Sequence, residues 1–236
     1  MVKNAEGKVV VSKDGPYLVS GSLPLAKDIV VTGGDGDPEK WKSGGSFPSR
    51  KNYALCRCGQ SKDKPYCDGA HARIGFDGTE TASRRKYGEQ AGTVKGPNLL
   101  LTDAQSLCSG AGFCHRAGGA WNLTRKSEDQ KCKKTAIQEA CDCPSGRLVA
   151  WDRKTNKQIE PRFRKSLGII QDPDAGVSGP IWVKGGVQIE SAGSRKYEVR
   201  NRCTLCRCGE SNNKPFCDGT HIHTGFNDGD KPVKKK

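Results

Sequence analysis

Cys206-Arg207-Cys208-Gly209-Glu210-Ser211-Asn212-Asn213-Lys214-Pro215-Phe216-Cys217-Asp218-Gly219-Thr220-His221 has a twin 150 positions earlier, from Cys56 to His71. Both copies read C-x-C-x8-C-x3-H. From Arg50 to Phe76 against Arg200 to Phe226, 15 of 27 positions are identical. The identities fall on every cysteine of the motif, on its histidine, and on the Gly, Ser, Lys, Pro and Asp between them. An internal repeat therefore has to be the basis of the fold.

Three thiolates and an imidazole at short spacing suit a soft metal site, either zinc or an iron–sulfur cluster. Cys217 and His221 are four apart, so a helix starting at Asp218 would set both on one face, with free N–H groups toward an anionic centre. The C-x-C pair, one residue apart, is able to grip a single iron. A mononuclear Cys3His zinc knuckle is the alternative, but its usual C-x2-C spacing is found in neither copy.

These residues resemble the CDGSH (NEET, mitoNEET-like) iron–sulfur domain family, with its pattern C-x-C-x2-S-x3-P-x-C-D-G-[SAT]-H. Ser61 and Ser211, Pro65 and Pro215, Asp68 and Asp218, and Ala70 and Thr220 hold the matching places. The resemblance implies a 2Fe-2S cluster in each copy. Cys56 and Cys58, or Cys206 and Cys208, would hold the inner iron; Cys67 and His71, or Cys217 and His221, would hold the outer, more exposed one.

The repeat extends upstream, where Asp14-Gly-Pro-Tyr-Leu-Val-Ser-Gly21 answers to Ser178-Gly-Pro-Ile-Trp-Val-Lys-Gly185, each a turn leading into a strand. The first copy has 24 residues between Leu25 and Arg50 against 10 between Ile189 and Arg200. Its Gly-, Asp-, Lys- and Ser-rich stretch Gly33–Ser46 is expected to be an exposed, mobile loop. Each copy alone has too few apolar strands for a core. The family resemblance implies strand exchange between protomers, which a tandem chain can make with itself. The expected fold is a β-rich α+β protein in which repeats at 8–90 and 165–230 form an intramolecular pseudo-dimer of β-cradle type. A small ferredoxin-like α+β domain at 91–160 is looped out between them, and a basic tail follows at 231–236.

In that middle segment a strand from Leu99 to Asp103 leads into the Gly-rich stretch Cys108–Cys114. A helix of roughly Lys133–Ala140 then ends at Cys143-Pro144, and a strand returns from Leu148 to Trp151. That plan resembles a divergent mono-cluster ferredoxin domain over about 60 residues. Ala111 stands where its C-x2-C-x2-C pattern has a cysteine, so only Cys108, Cys114 and Cys143 match. Three thiolates imply 3Fe-4S, or 4Fe-4S completed by Cys132, Cys141, His115 or a non-protein ligand. The remaining alternative is an empty ferredoxin-like shell. Cys203, which replaces Tyr53, reads as a free thiol, and His223, opposite Arg73, as a surface histidine.

Hydrophobic residues make up 33% of the chain, and its 30 glycines bring the apolar total toward the usual range, so the aliphatic core is thin. No apolar run reaches membrane-spanning length and the start lacks a secretory core, which points to a soluble, cytoplasmic protein with reduced thiols. The net charge of +14 is scattered, with no interleaved stacking aromatics, and reads first as solvated surface, next as a dock for an acidic protein partner and last as a nucleic-acid site. No phosphate-cradling loop, nucleophile–base pair or dinucleotide fingerprint is present, so the chain reads as a carrier and not an enzyme. Electron transfer between a reductase and an acceptor is the first reading. Delivery of labile clusters to apo-acceptors, or redox or iron sensing, is the second, and a zinc-stabilised basic module the third. The expected state is a monomer with an internal pseudo-two-fold.

Overall fold

The computed structural model describes residues 7–230; the basic tail expected at 231–236 lies outside them. The first copy contributes β1 (Lys8–Val11), β2 (Tyr17–Ser20), β3 (Leu25–Thr32), β4 (Pro38–Ser46) and β5 (Asn52–Leu55), followed by the one-turn helices α1 (Ala70–Arg73) and α2 (Tyr87–Gln90). The middle segment runs β6 (Gly92–Lys95), β7 (Leu99–Asp103), α3 (Ala120–Arg125), α4 (Gln130–Asp142), β8 (Leu148–Asp152) and β9 (Lys157–Ile159). The second copy closes with β10 (Ser166–Asp172), β11 (Val177–Lys184), β12 (Gln188–Glu190), β13 (Arg202–Leu205) and α5 (Thr220–His223). Over its described residues the protein is β-rich α+β, with 32% strand and 17% helix.

Each repeat lends a strand to the other. One sheet has the order β12-β1-β2-β5 and another β13-β11-β10-β3-β4. Val9 pairs with Ile189 and Ile169 with Lys27, both in parallel register, so a strand of each half joins the far sheet. Sequence explains why this exchange is needed. In β2 the side chains alternate, with Tyr17 and Val19 inward and Leu18 outward, so a four-residue strand offers only two apolar contacts. Pooling both halves gives one core: Val9, Val11, Tyr17 and Val19 face Leu167, Ile169, Ile181 and Val183 between the sheets. The Tyr17 hydroxyl, fully buried, donates to the carbonyls of Cys206 at 2.8 Å and Pro215 at 2.9 Å, tying the first repeat's strand to the second repeat's cysteine loop.

The expected mobile loop at Gly33–Ser46 is instead mostly strand. It turns between Gly33 and Asp37, whose N–H and carbonyl pair at 2.8 Å, and β4 returns along β3. Only Trp41 gives this polar edge strand an apolar anchor. Its ring lies 4.7 Å from both Phe113 and Trp182, and its indole N–H donates to the Asp142 carbonyl at 3.0 Å. The insertion thus reaches over to the middle domain.

That domain is a four-stranded antiparallel sheet, β6-β7-β8-β9, covered by α3 and α4. Leu99, Leu101, Leu148 and Ala150 pack on Ala136 and Ala140. Helix α4 is longer than Lys133–Ala140 because Asp129 caps it, accepting from the Cys132 N–H at 2.8 Å.

Candidate metal centres

The two C-x-C loops leave their strands, β5 and β13, with both cysteines buried and their sulfurs 3.8 Å apart for Cys56 and Cys58, and 3.7 Å for Cys206 and Cys208. The third cysteine faces the histidine: Cys67 Sγ to His71 Nδ1 is 3.3 Å, and Cys217 Sγ to His221 Nδ1 is 3.4 Å. A tetrahedral metal with bonds of ~2.3 Å to sulfur and ~2.0–2.1 Å to nitrogen sets two thiolates ~3.8 Å apart and a thiolate and imidazole ~3.5 Å apart. Each pair therefore fits one edge of its own metal ion. Among the described residues, no three His, Cys, Asp or Glu side chains are gathered closely enough for a single ion. Two pairs on two ions suit a bridged di-iron cluster better than a zinc knuckle.

The local backbone explains these pairs. Helix α5 starts at Thr220, not at Asp218, and α1 starts at Ala70. Cys67 and Cys217 precede their helices, so the shared-face argument gives way to a left-handed turn at Gly69 (φ 83°) and Gly219 (φ 89°). Asp68 and Asp218 clamp this turn: one oxygen accepts from the N–H of Ala70 or Thr220, the other from that of Lys62 or Asn212. The N–H groups of Gly69 and Gly219 point at the sulfurs of Cys67 and Cys217 at 3.4 Å, favouring thiolate. The Cys206–Cys208 pair holds one negative charge easily. A hydrogen bond from the Cys208 thiol brings Cys206 down to about 7, and that same bond with burial pushes Cys208 far up. The second thiolate needs a metal to neutralise it.

The two C-x-C loops meet across the pseudo-two-fold. A Cβ on Gly59 would stand 2.3 Å from the Cys208 carbonyl oxygen, and one on Gly209 would stand 2.7 Å from that of Cys58.

The outer pairs differ in their surroundings. Cys67 and His71 are half-buried, whereas Cys217 is 2% exposed and His221 5%. Burial, with Arg207 next in effect, lowers His221 to about 4. The middle domain supplies the cover. Ser106 accepts from Asn213 at 2.9 Å, Gly219 faces the Cys108 backbone, and Gly110 leaves room for Ile222, whose Cδ1 would be 2.3 Å from any Cβ there. Ala72 takes the place of Ile222 in the first repeat, and Gly69 faces only the tip of Arg73.

In the middle domain, burial lifts the Cys114 thiol to about 12, and the neighbouring Cys143 and Cys108 thiols add to the rise. The three cysteines thus share one environment. Arg147, bound to Asp103 through Nε at 2.6 Å and Nη2 at 2.8 Å, also reaches Cys108, placing positive charge beside an anionic centre. Ala111 faces the apolar cluster of Val30, Phe113 and Trp182. Of the side chains weighed as a fourth ligand, Cys141 meets the Ile159 carbonyl at 3.6 Å, His115 lies against Trp121, and Cys132, on α4, packs against the same apolar core as Cys114 and Cys143. Cys203 is a buried core thiol pushed up to about 12, and His223 is exposed.

Residues 14–72 and 178–222 match the family model described as iron-binding zinc finger, CDGSH type, and residues 94–153 match that of a divergent 4Fe-4S mono-cluster. The chain thus carries two CDGSH regions with a divergent 4Fe-4S mono-cluster region between them. It is accordingly an iron–sulfur protein. No curated protein and no solved structure matches it. No helix among its described residues is long and apolar enough to cross a membrane.

Both CDGSH repeats also contain a residue whose role is not apparent from ligand spacing, the arginine inside C-x-C. Arg57 and Arg207 are each 1% exposed, and each donates through Nε at 2.9 Å to a carbonyl, of Gly15 and Gly179 respectively. Their identity in the two repeats was the available signal. Arg202, which fastens the second repeat to the middle domain, left none, since Asn52 stands at its twin position.

Proposed function

We propose that the chain is a one-electron carrier. Cys56, Cys58, Cys67 and His71 hold one 2Fe-2S cluster and Cys206, Cys208, Cys217 and His221 a second, while Cys108, Cys114 and Cys143 hold a third, of 3Fe-4S or 4Fe-4S type. These groups, when bound, supply reversible ferric–ferrous chemistry at potentials set by ligand type and burial. The observation that carries this reading is the arrangement of the three ligand sets in a row. The Cys108 loop seats on Gly219, and the Gly59 and Gly209 loops meet beyond it. The residues do the positioning: glycines permit backbone contact between sites, the fully buried Tyr17 excludes water from the joint between the repeats, and Ile222 lies against Gly110. Such packing supports electron passage within one molecule, and the reading is of a carrier in place of an enzyme. The charge of +14 favours acidic redox partners, and internal sheet pairing favours a monomer.

Iron, sulfide and zinc counts with EPR of both redox forms test this. Sulfide near-equal to iron and reversible one-electron reduction are expected. Zinc without sulfide refutes the reading, and a 3Fe-4S signal in the oxidised form identifies a centre held by three thiolates alone.

Half-burial of Cys67 and His71 favours a second role for the first repeat, release of its cluster to an acceptor. A ferrous chelator should strip the CDGSH iron in two phases of equal size, first repeat first. Extra opening of ~1.4 kcal/mol at the covered second site separates the rates about tenfold. One uniform phase would exclude selective release.

A further inference from the structure

We propose that the two CDGSH sites are electronically unequal, and that Arg57 and Asp228 make the first site the one that takes an electron more readily. The proposal rests on the carrier reading and assigns it a direction.

The arginine between the paired cysteines is equally buried in both repeats, but its far end is not equally partnered. Arg207 forms an ion pair with Asp228, itself only 5% exposed, and also donates to the Ile170 carbonyl at 3.2 Å. Asp228 is fixed in turn by Gln171 at 2.8 Å and Ser178 at 3.0 Å. Although burial opposes ionisation, the guanidinium holds the Asp228 carboxyl down at about 2, so the pair stays ionised. In the first repeat the position of Asp228 is occupied by Gly78. Arg57 Nη2 donates to the carbonyls of Gly78 at 2.8 Å and Ser12 at 3.3 Å, while Nη1 is buried with no partner. Among the described residues, no carboxylate comes within ion-pair distance of it. The acids nearest in role are Asp14, the twin of Ser178, which accepts from the Gly78 N–H at 2.9 Å, and Asp77, whose carboxyl Thr79 above all and then Lys214 and Arg57 hold down. Asp14 is half-exposed and Asp77 exposed, so water screens both.

A buried cation without a counter-ion acts on its neighbours with its whole charge, whereas a buried ion pair presents only a dipole. Arg57 is one bond-linked neighbour from Cys56 and from Cys58, as Arg207 is from Cys206 and Cys208. Reduction adds one negative charge to either site, so the unpaired Arg57 favours that charge more than the Arg207–Asp228 pair does. The middle domain acts in the same direction. It seats the Cys108 backbone against Gly219 and removes water from the second site, where Cys217 is 2% and His221 5% exposed. One electron leaving a donor, dithionite in the test or a reduced flavoprotein or ferredoxin in the cell, therefore comes to rest at the first site, the donor being oxidised by one electron. The first repeat also has the more exposed outer ligands, facing any acceptor.

Stepwise dithionite titration of the full chain with redox mediators, followed by EPR of the reduced CDGSH sites, tests this. Two one-electron waves are expected, separated by about tenfold in equilibrium constant, which is 59 mV for one electron. Asp228→Asn, which leaves Arg207 without its counter-charge, should raise the lower wave toward the upper. Arg57→Gln should lower the upper wave, and Arg57→Lys, which keeps the charge, should preserve the separation. A single wave in the wild type overturns the proposal, as does Asp228→Asn moving the upper wave. If Asp228→Asn does not fold, the contrast between Arg57→Gln and Arg57→Lys decides. Irreversible reduction at both sites overturns the carrier reading itself and this direction with it; merged waves overturn the direction alone.

Discussion

Arg202→Ala is expected to cost about 3–5 kcal/mol of folding stability and to free the middle domain from the second repeat. Arg202 starts β13 with its side chain 1% exposed, and its guanidinium enters the middle domain at the end of α4. Nη1 donates to the carbonyls of Ala140 at 2.9 Å and Cys141 at 2.6 Å, and Nη2 to the Leu148 carbonyl at 2.9 Å and to Glu160 at 3.2 Å. The last carbonyls of a helix lack intrahelical partners and carry its negative dipole end, so a cation there both satisfies and neutralises them. Alanine takes that donor from the buried Ala140 and Leu148 carbonyls and the part-buried Cys141 carbonyl, of which Ala140 keeps the Cys143 N–H at 3.3 Å, and leaves Glu160 without its counter-charge. Lysine keeps the charge but not the planar fork, and should recover only part of the loss. Exposed Arg162→Ala should change stability by less than about 0.5 kcal/mol. Denaturant unfolding measures the cost, and chelator release reports the undocking: iron at the second site should become as accessible as at the first. A variant that loses stability yet retains two-phase release would show that Arg202 stabilises the fold without holding the two domains together.

This junction also shows where the sequence is transparent and where it is not. Duplication exposes whatever both halves need, so the ligand spacing, the Asp clamp and the turn glycines stand out as identities. It hides what only one half needs. Arg202, facing Asn52 in the alignment, and Ile222, facing Ala72, look like drift, although they are the contacts that make the second repeat a dock. Arg57 and Arg207 are identical too, but a charged residue between two ligands reads as surface until its burial is known. Strand β4 escaped detection because Pro38–Ser46 carries one large apolar residue, Trp41, among glycines, lysines and serines. A two-residue period cannot be seen with a single marker. In the middle domain the aliphatic runs of β7 and β8 mark them in the sequence, while the first turn of α4, Gln130 to Lys133, is polar apart from Cys132 and its start depends on the Asp129 cap.

Gly59→Ala should damage both CDGSH sites, although it alters only the first. Gly59 has φ of 75°, where a side chain costs about 1–2 kcal/mol, and its Cβ would fall 2.3 Å from the Cys208 carbonyl oxygen. Backbone, unlike the end of a flexible side chain, cannot step aside. Relieving the overlap has to push the second C-x-C loop outward, adding about 1–3 kcal/mol. The combined loss of roughly 2–5 kcal/mol approaches that of Arg202→Ala and is paid at the ligands, because the displaced atom belongs to Cys208 itself. Gly75→Ala is the control: φ is 62°, but no atom lies within 4 Å of its Cβ position, so only the backbone strain remains. Iron retained per chain after desalting separates the cases. Gly75→Ala should keep both CDGSH clusters at slightly lower stability, and Gly59→Ala should lose iron from both. Loss from the first site alone would mean that the two loops do not bear on one another, and the backbone contact on which passage between the sites relies would be absent.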